Sequence, residues 1–192
     1  MDRFFAVTSR MKYINRWALM RNTISENLSE HSLETAYIAH ALALIRNTRF
    51  GGNVNAERCA LLAMFHDTTE IITGDLPTPI KYYNKEIKGA YTEIEENAKN
   101  TMLSYLPPDL KSYYEPLLSP SEEESELWSL VKGADKLSAL IKCIEERKMG
   151  NADFAMAEKS TLKAIHALNL PEAEVFLTDF IPAYDLTLDE QT

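Results

Sequence analysis

Apolar residues recur along the chain at spacings of three and four, the period of helices packed on one face, and no alternating apolar and polar run extends beyond a few residues. The pattern predicts an all-α bundle. A first helix is expected over residues 4–20, followed by a polar connection, 22–29, in which Ser29 suits an N-cap. A second helix then runs to about Arg46, and Phe50-Gly-Gly-Asn breaks it. Asn55 can cap a third helix that reaches Thr73, where Gly74 suits a left-handed terminal conformation; Asp75-Leu-Pro-Thr-Pro continues as a stiff loop. Residues 81–105, 121–149, 154–168 and 172–184 read as further helices, with a short segment over 109–118. Every connection is short and no internal repeat occurs, so one domain is expected over 1–192.

Composition narrows the class. A chain of 192 residues that is 45% hydrophobic can bury a full core. A net charge of -9 argues against a partner built on a phosphate backbone, which calls for clustered Lys and Arg. An anionic small substrate would need locally placed cations. Cys59 and Cys143 lie in apolar helical patterns, where free thiols behave as small hydrophobes in a reducing compartment. The opening MDRFFAVTSRMK is too short in apolar residues for a signal segment, and no stretch approaches the ~20 apolar residues of a membrane span. A cytoplasmic protein without membrane partners is expected.

The stretch MFHDTTE departs from the apolar pattern. His66 and Asp67 follow the run 61–65 directly, and Glu70 stands four residues after His66, so a continuous helix presents all three on one edge. Two similar intrusions occur elsewhere: His31 shares a stripe with Thr35, Ile38, Leu42 and Ile45, and Asp135 shares one with Trp128, Val131, Ser138 and Lys142. Carboxylates in apolar surroundings must be paired, protonated or metal-bound. Two imidazoles and two carboxylates suit a borderline divalent ion such as Mn, Co, Zn or Fe, with positions open to water and substrate. Taken singly, each histidine fits a hydrogen-bonded core residue and Asp135 fits an ion pair; the combination gives the signal its specificity.

That combination, H…HD…D at His31, His66-Asp67 and Asp135, resembles the HD-domain metal-dependent phosphohydrolases, and more closely their bacterial 5′-deoxynucleotidases. The resemblance rests on INRWALMRN, ENLSEHS, FGGNVNAERCALLAMFHDTTEIITGDLPTPIKY and LVKGADKLSALIKC. It implies an HD-domain bundle with its metal-binding region at about 28–150, one divalent ion (Co, Mn or a similar transition metal), and a homodimer. It further implies ligation by His31, His66, Asp67 and Asp135, with Asp67 also facing substrate, and a catalytic role for Glu70. Arg16 would orient the phosphate, and Trp17 with Asp75, Leu76, Pro77 and Thr78 would contact the sugar. The implied substrate is a deoxyribonucleoside 5′-monophosphate, with no nucleic-acid polymer as partner.

The same residue types allow ordinary roles. Arg16 fits a surface ion pair, Trp17 a core residue, Asp75 turn chemistry after a helix, and Glu70 an orienter of the ligands. His40 and His166 read as core or surface histidines, and four histidines in all favour one metal over two. The acidic run from Ser121 reads as a helix N-terminus complementing the macrodipole. A phosphohydrolase acting on a nucleoside triphosphate or an alarmone would need more cations than Arg16, Arg21 and Lys81 supply. A catalytically idle nucleotide sensor is the remaining alternative, against which the full metal set and Glu70 stand.

Overall fold

The architecture is that of a computed structural model describing residues 1–77, 84–119 and 121–192. It is all-α: among the described residues the only extended pairing is an isolated antiparallel bridge between Asn15 and Asn27.

That bridge corrects the first expected helix. Helix α1 spans only Phe4–Thr8 and passes into a 3-10 turn, Ser9–Tyr13. The chain then pairs with a later segment, Arg16 N donating to Glu26 O at 2.9 Å and Leu28 N to Ile14 O at 3.0 Å. Backbone groups satisfied across the bridge have no need of a helix, so Arg16 and Trp17 lie on a loop. Trp17 has φ 58°, a left-handed conformation uncommon for so bulky a residue.

Helix α2 (Leu28–Arg49) is capped by Asn27 rather than Ser29. Asn27 Oδ1 accepts from the amides of Ser29 and Glu30, and Glu30 Oε2 accepts from Asn27 N, a reciprocal capping box. Helix α3 (Ala56–Phe65) has the expected cap, Asn55 Oδ1 accepting from Arg58 N at 2.8 Å. It ends before His66, earlier than expected, and a separate short helix α4 covers Glu70–Thr73. Gly74 has φ 72° but an extended ψ of 161°, so its glycine freedom is used without an αL cap. Helices α5 (Lys85–Ser104), α6 (Pro108–Leu118), α7 (Ser125–Lys148), α8 (Ala155–Ala167) and α9 (Pro171–Asp179) follow. The earlier start expected for α5, at residue 81, lies outside the described residues.

Helices α2, α3 and α7 pack together, with Ala39, Leu42, Cys59, Leu62, Leu130 and Leu137 fully buried between them. Each such leucine contributes about 1.5–3 kcal/mol by leaving water. Gly133 lets α7 approach the turn before α9: a Cβ there would meet Leu170 Cδ1 at 2.9 Å. A second cluster of Phe4, Met102, Leu103 and Leu106 ties α1 to α5.

One buried ion pair fastens the loop after Trp17 to the bundle. Glu146 Oε1 accepts from Lys142 Nζ at 2.5 Å, and its carboxylate also accepts from the amides of Thr23 and Ile24 and from Asn151 Nδ2. Lys142 donates to Ile24 O as well, and Asn151 Nδ2 donates to Arg21 O at 2.7 Å.

Candidate metal centre and adjoining cavity

The helix break at His66 creates the site. Nδ1 of His66 lies 2.7 Å from Ala63 O, which also accepts the His66 amide at 3.5 Å, and the following turns close with further i to i−3 bonds, Thr68 N to Phe65 O and Glu70 N to Asp67 O. The His66 ring and the Asp67 carboxylate are thereby held at a helix end instead of along a helical edge, and Glu70 opens α4.

His31 comes from α2, fully buried, and its ring centroid is 5.3 Å from that of His66. Nε2 of His31 is 3.5 Å from Asp67 Oδ2 and 3.3 Å from Asp135 Oδ1. On the other side of the ring, Nδ1 is 3.0 Å from Ser138 Oγ, whose hydroxyl donates to Glu34 Oε2 at 2.6 Å. A hydroxyl committed to Glu34 can only accept from the imidazole, so Nδ1 is the donor to Ser138, and Nε2 is the ring atom that faces the carboxylates. The Nδ1 of His66, against a carbonyl, is assigned as a donor for the same reason.

Donor atoms of His31, His66 and Asp67 lie within 4.8 Å of one another, a spacing able to hold a metal ion. Nε2 of His66 supports the fit: it is buried with no hydrogen bond of proper alignment, although Asp67 Oδ2 is only 3.1 Å away. Two nitrogen donors and a carboxylate suit a borderline divalent ion. Asp135 stands at the edge of this group, close to His31 but also 2.8 Å from Lys136 Nζ and 4.0 Å from Arg16 Nη2.

The electrostatics separate the two histidines. Burial, reinforced by the Arg16 charge, pushes His31 down to about 4, whereas at His66 burial is outweighed by Asp67 and Asp135, which hold it up to about 9. Burial opposes ionisation of Asp67, but His66 brings it down to about 2. Asp135 is likewise kept well below the usual carboxylate range, against burial, by His31 and Lys136.

Next to this group lies a cavity of about 660 Å³, within the roughly 300–1,000 Å³ typical of small-molecule sites. Arg16, Trp17, Ala18, Leu19 and Met20 form one wall and Asp75, Leu76 and Pro77 another; Asp135, Lys136 and Ala139 come from α7, and Ala157, Ser160, Thr161 and Ala164 from α8. Arg16 and Trp17 are therefore neither a surface pair nor a core tryptophan. Burial raises Asp75, opposed by Arg16 and by the Trp17 backbone amide. Thr78 lies outside the described residues, as do Pro79 and Lys81. Arg21 points away, largely exposed and paired with Asp153.

Several participants are absent from the sequence reading. Lys136 adds a second cation at the cavity wall; its position beside Asp135 was a usable signal. Ser138 appears only as a member of a stripe, and Glu34, one turn from His31, has no distinguishing context. The α8 wall consists of small residues without a chemical signature.

Residues 3–184 match the family described as 5′-deoxynucleotidase YfbR-like. A relative from Photorhabdus temperata, named as a 5′-deoxynucleotidase, is 51% identical over 190 residues, covering 99% of this chain and 96% of the relative. Among solved structures, an HD-domain phosphohydrolase from Listeria innocua superposes with a TM-score of 0.81 at 24% identity, over 95% of this chain and 88% of that one. A cyanophage S-2L HD phosphohydrolase, bound to dA and one catalytic Zn2+ ion, gives a TM-score of 0.51 at 19% identity, over 97% and 88% of the two chains.

Proposed function

We propose, since this chain belongs to the YfbR-like 5′-deoxynucleotidase family, that its site hydrolyses deoxyribonucleoside 5′-monophosphates to a deoxyribonucleoside and inorganic phosphate with one divalent ion held by His31, His66, Asp67 and Asp135. The observation that carries this reading is the junction of the three-donor group with a cavity lined by two cations, Arg16 and Lys136. When bound, the ion supplies Lewis acidity toward water and the phosphoryl oxygens.

The chain's own groups divide the remaining work. Arg16, with Nη2 directed toward Asp135, offers planar donors to the phosphate, and Lys136 adds charge at the same wall. Water oxygen attacks phosphorus, the bond from phosphorus to the 5′ oxygen breaks, and the leaving oxygen takes up a proton. Glu70, at the start of α4 and half-buried, handles that proton, a contribution of about 10²- to 10⁴-fold. Trp17 packs against the sugar at its 2′ carbon, while Asp75, backed by Leu76, Pro77 and Thr78, receives the 3′-hydroxyl. A 2′-hydroxyl then meets an aromatic surface instead of solvent, the basis of deoxy selectivity.

We further take residues 1–192 as one domain with its metal-binding region at about 28–150, the ion as Co or Mn, and the active form as a homodimer. Exposed Leu33, Tyr37 and Leu44 on α2 and Leu61 and Met64 on α3 support a partner-covered face. The buried free thiols of Cys59 and Cys143 support a reducing, cytoplasmic setting. No described helix is long and apolar enough to cross a membrane.

The decisive experiment is phosphate release from dAMP and AMP, side by side, by metal-stripped protein reconstituted with Mn or Co. Release from dAMP alone is expected. Equal release removes the deoxy selectivity, and no release from either removes the phosphomonoesterase.

A further inference from the structure

One carboxylate joins the two sides of the cavity's N-terminal wall. Glu26 Oε2 accepts from Arg16 Nη1 at 2.9 Å and from Trp17 Nε1 at 3.0 Å. Successive side chains of an extended segment point to opposite sides, yet these two neighbours converge on a single oxygen, an arrangement that the left-handed φ of Trp17 permits. The main chain repeats the link, Arg16 N donating to Glu26 O. The Glu26 side chain is 12% exposed and is not among the residues lining the cavity, so it lies behind the pair. The indole is closed in further by Phe154, ring centroids 5.3 Å apart.

We propose that Glu26 is a positioning and specificity-determining residue that locks Arg16 and Trp17 into one rigid unit, fixing the distance between the phosphate grip and the surface packed on the sugar. This rests on the deoxynucleotidase reading above. An aromatic wall rejects a hydroxyl only if it cannot yield, and an indole pinned through its only donor, by an ionised acceptor shared with a guanidinium, has little freedom to turn. Without the pin, the ring can swing to admit the 2′-hydroxyl while Arg16 still meets phosphate through Nη2. Glu26 touches no substrate in this role.

The test measures kcat and KM for dAMP and AMP with wild type, Glu26→Gln and Glu26→Ala, each assayed for metal content. In Glu26→Ala the ratio of kcat/KM for dAMP over AMP is expected to fall by about tenfold or more, the loss of hydrogen bonds to a charged acceptor. In Glu26→Gln, which keeps an uncharged acceptor of nearly the same shape, the ratio should lie between those of alanine and wild type. Should the alanine variant fail to fold, the glutamine variant carries the test alone. A wild-type ratio in the folded variants, even with both substrates slowed alike, overturns the proposal and leaves Glu26 as scaffold. A wild type that does not discriminate, or does not release phosphate, instead removes the underlying reading and this proposal with it.

Discussion

His31 on α2 and Ser138 on α7 meet at 3.0 Å, and the serine hydroxyl continues to Glu34 at 2.6 Å. Two helices are thus tied together behind the ring that faces the proposed metal. Substituting Ser138→Ala removes the nearer of two hydroxyls at Nδ1, leaving Thr35 Oγ1 at 3.5 Å, and loosens the ring's orientation. Metal affinity is expected to fall about 10- to 100-fold while helicity is retained. Titration of metal into stripped protein reads this; unchanged affinity would show that the ring is oriented by packing alone.

A change at Glu70 tests the proposed division between ligation and proton handling. Glu70→Gln preserves the side-chain volume and is expected to keep its metal, with kcat reduced by about 10²- to 10⁴-fold and little change in KM. Full turnover in the metal-loaded variant would assign the proton to water or to another group.

The Glu146 carboxylate gives the fold an acid limit. Burial pushes it upward, but hydrogen bonds from Lys142, Asn151 and Thr23 hold it well below the usual carboxylate range. A carboxyl whose folded pKa is depressed adds stability that is fully present above the unfolded value of ~4.3 and is lost progressively as pH falls from there toward the folded value. Wild-type Tm should therefore drop below about pH 4.3, and Glu146→Gln should flatten that part of the profile. Glu146→Ala, which strands Lys142, is expected to destabilise by about 3–5 kcal/mol at neutral pH. A Tm profile of the same slope in Glu146→Gln would shift the acid limit to other carboxylates.

In the proposed reading, the α8 wall would set the room for the part of the substrate beyond the sugar. Ala157→Leu extends a side chain into the cavity and is expected to raise KM for dAMP severalfold with kcat nearly unchanged, because it touches no reacting atom. Steady-state kinetics with purine and pyrimidine deoxynucleotides check this, and an effect confined to kcat would contradict it.

The helices, and the convergence of His31, His66 and Asp67, were legible because both leave a signature in local pattern: apolar positions at helical spacing, and ionisable residues intruding on them. What the pattern concealed is where the chain leaves a helix for reasons outside the segment itself. Met11, Ile14 and Trp17 keep helical spacing, yet the chain leaves the helix after Tyr13 because Ile14 to Arg16 pair with Glu26 to Leu28, later in sequence. The run through His66 reads as continuous, but at the end of α3 the Ala63 carbonyl is shared by the His66 ring and the His66 amide and the following turns tighten. Ser29 and Asn27 are both good caps, and only the reciprocal bond from Glu30 decides between them. Glu26 sits in a polar connection where an acid is unremarkable, so its two bonds to Arg16 and Trp17 have no local trace.

The backbone at Trp17 carries a last consequence. A bulky residue with φ 58° costs about 1–2 kcal/mol that glycine would not. Selection for thermal robustness alone would pull this position toward glycine or asparagine, whereas under the proposed role of Trp17 selection for rejecting ribonucleotides would hold the indole in place. In a population free of the second pressure, position 17 is where drift toward a sturdier but less discriminating protein should begin.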